Sequence, residues 1–414
     1  MIARFARFVF FALFVFTAAC GTISPLPFAT QPALVDATFS PTPLPTLTPS
    51  PTPPVRVLRI WLPPEFDPNA DTPAASLLKV RLMEFTAEHP SLSLDVRIKG
   101  AEGDSTVLDI LSLTHSAAPD ALPDLVALQR PHVEAAALKG NLHTLDGLTE
   151  LLNSPDWYPY ARQLGHVQNA MYGLPFAGDA LVIVYHPSQF QTPPVTWQDL
   201  LAKQRTLAYT ASEPQGLFVL SLYLSTGSRL LDETNHPFLD EPALTSALQQ
   251  VSELNLISVI SDDVAWKSFT DRHVDLALVW ASRFLQDPEP DSAIMPLPGL
   301  EGTPSTLATS WSWALAGSDS ESQIVAAELA EWLMDDDFLS KWTSAAGYLP
   351  TRPNALTKWK DPLTLDTISQ SAQALPSSDT LSTVGPILQN ALSRVLHGEQ
   401  AAVVAHDAVA ALKK

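Results

Sequence analysis

The amino-acid sequence predicts an α/β protein whose globular part is divided into two lobes. Two observations predict the fold class: strand-like apolar runs alternate with helical patterns after Val55, and the alternation starts again near Ala180. The third observation is size, because 414 residues with 46% hydrophobic content can bury two separate cores. The region after Val55 therefore has room for two domains of about 150–200 residues each.

The N-terminal segment, residues 1–19, has the composition of a signal peptide. Basic residues precede the apolar run Phe8–Phe16, and small residues lead directly to Cys20, the only cysteine. The run is shorter than the about 20 residues that a membrane-spanning helix needs. The small residues before Cys20 resemble the bacterial lipobox, which predicts lipidation there, although Thr17 stands where that motif prefers leucine. A plain signal peptide or an uncleaved anchor is the alternative.

Residues 20–54 are predicted to form a stalk. Ten of the chain's 37 prolines lie between Gly21 and Pro54, among threonines and serines. Repeated prolines favour extended polyproline II, which acts as a semi-rigid spacer. Such a spacer would lift a soluble body off the membrane while the lipid keeps it near a membrane partner.

The charge balance argues against nucleic acid as a partner. The chain has 24 Lys+Arg against 44 Asp+Glu, a formal net charge of −20. An acidic surface repels phosphate backbones. It also disfavours polybasic contact with anionic lipid headgroups. We interpret the net charge as a source of solubility.

The body opens with predicted βαβ units, which favour a mainly parallel sheet. Strands are predicted at Val55–Leu62, Leu92–Ile98 and Pro123–Leu128, and helices at Ala74–Glu88, Thr106–Ala117 and Val133–Lys139. In the second α/β pattern, strands are predicted at Ala180–Tyr185, Thr206–Tyr209, Val274–Trp280, Ile294–Leu297 and Ser310–Ala316. The helices predicted there are Trp197–Lys203, Gly216–Thr226, Glu241–Leu254, Ser322–Asp335, Phe338–Ala345, Pro362–Gln373 and Val384–Lys413.

Short motifs follow one another along the body. They are Phe85–Pro90 before an alternating strand, Pro123–Val126, Gly140–Asp146, Tyr172–Phe176 with Pro193–Leu200, Pro296–Gly299 and Gly347–Arg352. They resemble F-x-x-x-x-P, P-D-V, G-x-L-x-x-L-D, Y-G-L-P with P-P-x-T-W-x-E-L, P-x-P-G and G-Y-L-P-T-R of bacterial extracellular solute-binding proteins of family 1. That family includes the maltose- and sugar-binding proteins. Because each motif is short, the resemblance depends on their shared order over the whole body.

The resemblance implies a type II periplasmic-binding fold, in which two α/β lobes with mixed sheets are joined by a hinge. Lobe 1 would comprise residues 55–177 and about 305–337, and lobe 2 residues 181–298 and about 338–414. It further implies a monomeric, extracytoplasmic protein, anchored to the cell membrane, that captures a sugar or oligosaccharide between the lobes. The closed form would be recognised by the transmembrane permease subunits of an ABC importer.

Three departures from the family pattern fall around the expected site. His186-Pro187 replaces the usual Asn-Lys, residues 272–275 lack the usual G-K-A-A, and Ser282–Phe284 stands where many members have Gly-x-Trp. These departures leave the identity of the solute open.

Seven residues are predicted to contact the solute, because a sugar needs carboxylates or amides for its hydroxyls and aromatic planes for its ring faces. The polar ones are Asp179 at the first crossing between lobes, and Glu65, Gln129 and Arg130 at the carboxyl ends of strands. The aromatic ones are Trp280, Phe284 and Trp311, and Tyr348 is a further candidate outside these seven. Each has a structural alternative as a turn cap, an exposed loop residue or a core aromatic.

The sequence lacks the motifs of common catalytic and metal sites. It contains no G-x-S-x-G, H-E-x-x-H, P-loop or G-x-G-x-x-G, and its histidines are scattered. Asp335–Asp337 is interpreted as a solvated junction after a helix and not as a metal cluster. We therefore predict a binding protein without cofactor or metal, and not an enzyme. The alternatives are a lipoprotein sensor domain that presents a solute to a membrane receptor or kinase, and a surface glycosidase with paired carboxylates.

Overall fold

The structure is a computed structural model that describes residues 55–100, 106–190, 192, 194–201, 205–210, 215–300, 302–360 and 362–413. The predicted signal peptide, the lipidation of Cys20 and the stalk of residues 20–54 lie outside the described residues.

Strands and helices alternate along the described chain. The strands are β1 (Arg56–Leu62), β2 (Leu92–Ile98), β3 (Leu125–Gln129), β4 (His166–Val167), β5 (Ala170–Met171), β6 (Leu174–Tyr185), β7 (Thr206–Thr210), β8 (Asn255–Val259), β9 (Leu276–Trp280), β10 (Ala293–Pro296), β11 (Thr306–Leu315), β12 (Leu349–Pro350) and β13 (Ala372–Ala374). The helices are α1 (Pro73–Glu88), α2 (Val107–Ala117), α3 (Arg130–Leu138), α4 (Pro159–Gly165), α5 (Trp197–Leu201), α6 (Leu217–Leu224), α7 (Glu241–Glu253), α8 (Asp262–Thr270), α9 (Ala281–Gln286), α10 (Ser320–Trp332), α11 (Asp336–Ala346), α12 (Pro353–Leu356), α13 (Pro362–Ser371), α14 (Ser378–Leu396) and α15 (Ala401–Ala411). Within these described residues, none of the helices is long and apolar enough to cross a membrane.

Local sequence signals set the ends of the first helices. The Thr72 hydroxyl accepts a hydrogen bond from the backbone amide of Ala75, and Pro73 occupies the first helical position of α1. The helix ends before Pro90, because the residue preceding a proline is disfavoured in helical conformation. At α2, Thr106 and Asp109 form a reciprocal capping box.

One large mixed sheet joins most of the strands. Its order is β2-β1-β3-β11-β6-β9-β7-β8, with β10 and β12 paired to β6 and β13 paired to β11. β1 runs parallel to β2 and β3, and β7 runs parallel to β8 and β9. β11 runs antiparallel to β3 and β6, and β6 runs antiparallel to β9. The sheet is thus not the mainly parallel one that local spacing favoured, because β11 returns from far along the chain to lie between β3 and β6.

Strand β6 passes through both halves of this sheet, and all 12 of its residues are buried. Leu174 to Ala180 pair with β11, whereas Leu181 to Tyr185 pair with β9 and β10. At the same point the hydroxyl of Thr306 donates a hydrogen bond to the carbonyl of Leu181. One continuous strand therefore connects the α/β half built on β1–β3 with the half built on β7–β9.

The helices that follow residue 335 divide between the two halves. α11 packs against α1, and β12 pairs with Ala177 and Gly178 in the first half. Leu339 and Ile368 belong to a buried cluster that draws residues from both halves, whereas Leu388 belongs to the buried cluster around β7 and β9. The sequence placed residues 338–414 in lobe 2. We propose that α11 and α12 belong to lobe 1, because α11 packs against α1 and α12 packs against α11, whereas α13 contacts β10 of the second half.

The C-terminal region differs from the single predicted helix Val384–Lys413. α14 ends at Leu396, and α15 begins at Ala401. Gly398 between them has a φ of +91°, a left-handed conformation that ends a helix and that glycine adopts without steric cost. The predicted helix Pro362–Gln373 is also shorter, because Ala372–Ala374 pairs with β11 as β13.

Candidate functional site

Three aromatic rings meet at the carboxyl end of β1, beside the middle of β6. The ring of Phe66, just after β1, contacts Trp311 and Tyr348 edge-to-face, with centroids 5.0 and 6.0 Å apart. Trp311 on β11 and Tyr348 before β12 are half-buried, and Tyr348 interacts with the side chains of Trp311 and Gln286. We call Phe66, Trp311 and Tyr348 the aromatic cluster. Half-buried aromatic planes of this kind can stack on an apolar ligand face.

Two of the predicted polar residues lie beside the aromatic cluster. Glu65 is exposed in the loop after β1, and its negative charge acts on Tyr348. Gln129 is exposed at the end of β3 and lies directly opposite Trp311 in the register of β3 and β11. Directly opposed residues of an antiparallel pair point to the same face of the sheet. The structure therefore brings Glu65, Gln129 and Trp311 together, although they are far apart in sequence.

Asp179 is buried in the middle of β6, where the pairing partner changes. Its Oδ1 accepts hydrogen bonds of 2.9 Å from the backbone amides of Ser282 and Ala180, and its Oδ2 accepts one of 2.5 Å from the Ser282 hydroxyl. The carboxylate thus ties β6 to the first turn of α9. Burial raises the pKa of Asp179 to about 7, against the opposing effect of the Ser282 hydrogen bonds, and the charge of Asp262 raises it further.

The same carboxylate also acts on the aromatic cluster through its charge. Burial raises the pKa of Tyr348 to about 12, and the negative charges of Asp179 and Glu65 contribute to this rise. Asp179 therefore bonds to the start of α9 in the second half and acts by its charge on Tyr348 of the aromatic cluster. A solute that contacted Asp179 would exchange part of these internal hydrogen bonds for its own.

Replacing Asp179 with asparagine is expected to change how stability depends on pH. The folded-state pKa of about 7 lies above the ordinary value of about 3.9. Between these values the folded protein binds more protons than the unfolded chain, so the free energy of unfolding falls as pH rises from about 4 to about 7. Asparagine keeps the shape and does not titrate.

Urea denaturation of the wild type and of Asp179→Asn, from about pH 4 to about pH 7, measures how the difference in their free energies of unfolding changes with pH. Asp262, Tyr160 and Tyr348, the other titratable groups that act with Asp179, remain in both proteins. The wild type should lose stability relative to Asp179→Asn as the pH rises. A difference that stays constant with pH would show that Asp179 ionises in its ordinary range.

The remaining aromatic candidates lie in the second half. Trp280 ends β9 and lines a cavity of about 60 Å³ with Tyr209 and Asp262. The Thr210 hydroxyl donates to Asp262 at 2.5 Å, and burial raises the pKa of that carboxyl. Phe284 on α9 packs against the buried cluster that contains Trp266, with its ring 6.3 Å from that of Trp266. Contact of Trp280 and Phe284 with a solute stays a prediction.

Arg130 lies away from the aromatic cluster, although it directly follows Gln129. It begins α3 and lines a separate cavity with Tyr160 of α4 and Gln373 of β13. Glu65 and Trp311 are not among the described residues that line this cavity. The sequence analysis grouped Gln129 and Arg130 because both lie at the carboxyl end of β3. In the structure Gln129 lies beside the aromatic cluster, whereas Arg130 lines the other cavity.

The sequence analysis did not identify Ser282 and Asp262 as residues that interact with Asp179. Ser282 was noted only as a departure from the family pattern, yet it supplies two hydrogen bonds to Asp179. Helix α8, which carries Asp262, was not predicted. The sequence did contain an indication of where α8 begins, because serine is a common N-cap residue. The Ser261 hydroxyl caps the helix by accepting a hydrogen bond from the backbone amide of Val264.

The acidic run Asp335–Asp337 is accounted for by local contacts. Asp335 caps α11, Asp336 lies 2.9 Å from Arg352, and Asp337 pairs with Lys358. Across the part of the chain that the structure describes, no three His, Cys, Asp or Glu side chains are grouped so that they could hold a metal ion.

Comparison with solved structures establishes the fold. MalE3 of T. maritima with maltose bound is 18% identical, with a TM-score of 0.62 over 86% of this chain and 99% of that chain. The sugar-binding protein MalE of Xanthomonas citri is 17% identical, with a TM-score of 0.70 over 86% and 97%. An ABC transporter solute-binding protein of Thermotoga lettingae with α-D-tagatose bound is 20% identical, with a TM-score of 0.60 over 86% and 100%. The predicted periplasmic-binding fold is thereby confirmed.

Comparison with protein families places the chain in one of them. The family model described as bacterial extracellular solute-binding protein matches residues 83–367. A comparison with curated protein sequences finds no match. The resemblance seen in the short motifs is confirmed by the family match. Proteins of this family act outside the cytoplasm and bind solutes, so the chain is a binding protein and not an enzyme. With well over half of its length matched, the chain belongs to the bacterial extracellular solute-binding protein family.

Proposed function

We propose that this protein captures a sugar or oligosaccharide between its two α/β halves and delivers it to the permease of an ABC importer. The observation that carries the proposal is the aromatic cluster, which lies among Glu65, Gln129 and Asp179 at the strand that connects the halves. Aromatic planes suit the apolar faces of a sugar, and carboxylates and amides suit its hydroxyls. Structural neighbours with maltose, maltotetraose or tagatose bound support the same class of ligand.

The connection between the halves supports capture by closure. β6 is continuous through both parts of the sheet, and Asp179 on this strand bonds to Ser282 at the start of α9. A solute that contacts the aromatic cluster from one side and the region of Trp280 from the other would favour a closed arrangement. Ligand-driven hinge closure is a common response in two-lobed binding proteins. The closed form would then be what the permease recognises.

The N-terminal features support attachment near that permease. We propose that Cys20 is lipidated after removal of residues 1–19, and that residues 20–54 act as the stalk of a monomeric body. The chain would then be anchored to the cell membrane and face outward. A proline-rich spacer keeps a tethered module at high local concentration beside its partner.

A thermal-shift panel of monosaccharides, oligosaccharides, polyols, amines and peptides tests the ligand class. We expect a saturable rise in melting temperature with at least one carbohydrate, because a ligand that binds only the folded state stabilises it by mass action. Glu65→Gln should weaken this response, since Glu65 is exposed beside the aromatic cluster. Glu84→Gln, which changes an exposed glutamate on α1, is the matched control and should respond as the wild type does. The sugar assignment fails if amines or peptides stabilise the protein and carbohydrates do not.

A further inference from the structure

A second cavity lies where the two halves meet, and it is distinct from the site at the aromatic cluster. Its volume is about 710 Å³. The first half contributes Arg130 and Tyr160, the second half contributes Leu230, and the segment that carries β13 contributes Gln373 and Leu375. A space of this size accommodates a small organic molecule.

The cavity and Trp311 of the aromatic cluster lie on opposite faces of β6. The hydroxyl of Tyr160 lies against the position that a Cβ on Gly178 would occupy, so α4 covers that face of the strand. Side chains of successive strand residues point to opposite faces, so Asp179 points away from Tyr160 and toward α9. Trp311 lies opposite Ala177, which shares the face of Asp179. A ligand in the second cavity would therefore not occupy the proposed sugar site.

The guanidinium of Arg130 is buried at this cavity, and some of its N–H groups have no hydrogen-bond partner in the described part of the chain. The side chain is 12% exposed, and its nearest carboxylate oxygen, on Glu134, lies 4.0 Å from Nη2. That oxygen already accepts hydrogen bonds from the amide and hydroxyl of Ser378. Nε and Nη1 of Arg130 are buried with no hydrogen-bond partner among the described residues. A buried charged donor without a partner is costly, which favours an oxyanion at this position.

The rest of the cavity wall favours an anion with an apolar body. Arg229 and His166 also line it, and its described lining contains no aspartate or glutamate, in a chain with a net charge of −20. Leu230 and Leu375 add apolar surface. An inorganic ion would use the arginine but would leave this apolar surface unoccupied.

We propose that this cavity binds a small organic carboxylate, with the carboxylate on Arg130 and the apolar body against the leucines. A carboxylate would supply an acceptor and a compensating charge to this arginine, whose planar guanidinium binds carboxylates with directed, charge-assisted hydrogen bonds. The proposal does not depend on the sugar-binding function, because Arg130 and the leucines lie outside the aromatic cluster and its polar neighbours.

Titration with benzoate, followed by melting temperature and by calorimetry, tests this proposal. Benzyl alcohol serves as the uncharged analogue, and phosphate at matched ionic strength serves as the inorganic ion. We expect saturable binding of benzoate that exceeds that of both controls. Arg130→Gln should weaken it by at least about tenfold, because charged hydrogen bonds are lost. Arg162→Gln changes an exposed arginine on α4 that does not line the cavity, and it should bind as the wild type does.

Two further variants show whether benzoate binds in this cavity or at the aromatic cluster. Ala374→Trp fills the half-buried wall of the cavity and should block benzoate even if Arg130→Gln fails to fold. Trp311→Ala should leave benzoate binding unchanged. The proposal is overturned if benzoate does not bind, if Ala374→Trp binds it with unchanged affinity, or if phosphate binds equally well. Loss of benzoate binding in Trp311→Ala would also overturn it, by placing the anion at the aromatic cluster. Failure of sugars to bind, with benzoate binding intact, would contradict only the proposed function.

Discussion

Replacing Trp311 with alanine should weaken carbohydrate binding by about 10- to 150-fold. Removing a large stacking surface from a ligand costs about 1.5–3 kcal/mol, and about 1.4 kcal/mol corresponds to a tenfold change in affinity. Trp311 is half-buried, so part of its ring is held by Phe66 and part is available to a solute. Calorimetric titration with the best carbohydrate of the panel measures the change.

Trp359→Ala is the matched control for this substitution. Trp359 is also half-buried, and its indole donates to the carbonyl of Ser340, among the helices after residue 335. Its loss should lower stability without changing affinity. Equal affinity losses in the two variants would mean that Trp311 acts only through stability, and unchanged affinity in Trp311→Ala would remove it from the site.

Replacing Arg352 with methionine should destabilise the fold by about 3–5 kcal/mol, the usual cost of leaving a buried ion pair without one partner. Arg352 is 8% exposed. Its Nη2 lies 3.0 Å from Asp156 and its Nη1 2.9 Å from Asp336, and Nη1 also donates to the carbonyl of Met334 at 2.7 Å. Methionine fills the volume but leaves both carboxylates without their cation.

Urea denaturation compares this variant with Arg97→Met. Arg97 pairs with Asp95 at 2.7 Å, but its side chain is 46% exposed, so solvent screens the pair and its loss should change little. Equal denaturation midpoints for Arg352→Met and the wild type would contradict the structural role of Arg352.

The elements that the sequence predicts best are those with a local signal. The apolar runs of β1, β3 and the second half of β6 identified buried strands, and the helices that Thr72 and Thr106 cap were both predicted. Leu174 to Asp179, in the first half of β6, were missed because they become strand by pairing with β11, which follows far along the chain. Such non-local pairing leaves no periodicity in the local sequence.

The candidate site was harder to predict, because it is assembled from distant parts of the chain. Trp311 and Tyr348 were both noted, but nothing in the sequence indicated that Phe66 would hold their rings together. Gln129 and Arg130 are neighbours in sequence, yet they serve different surfaces because the chain changes from strand to helix between them. The direction of each side chain at such a junction depends on the three-dimensional path of the backbone.

The most direct test of the central claim is calorimetric titration of the wild-type protein with the carbohydrates that stabilise it, followed by chromatography of the same samples. The proposed function predicts saturable binding of one carbohydrate per protein chain, with the carbohydrate recovered intact. Absence of binding by every carbohydrate tested, or recovery of cleaved products, would contradict it.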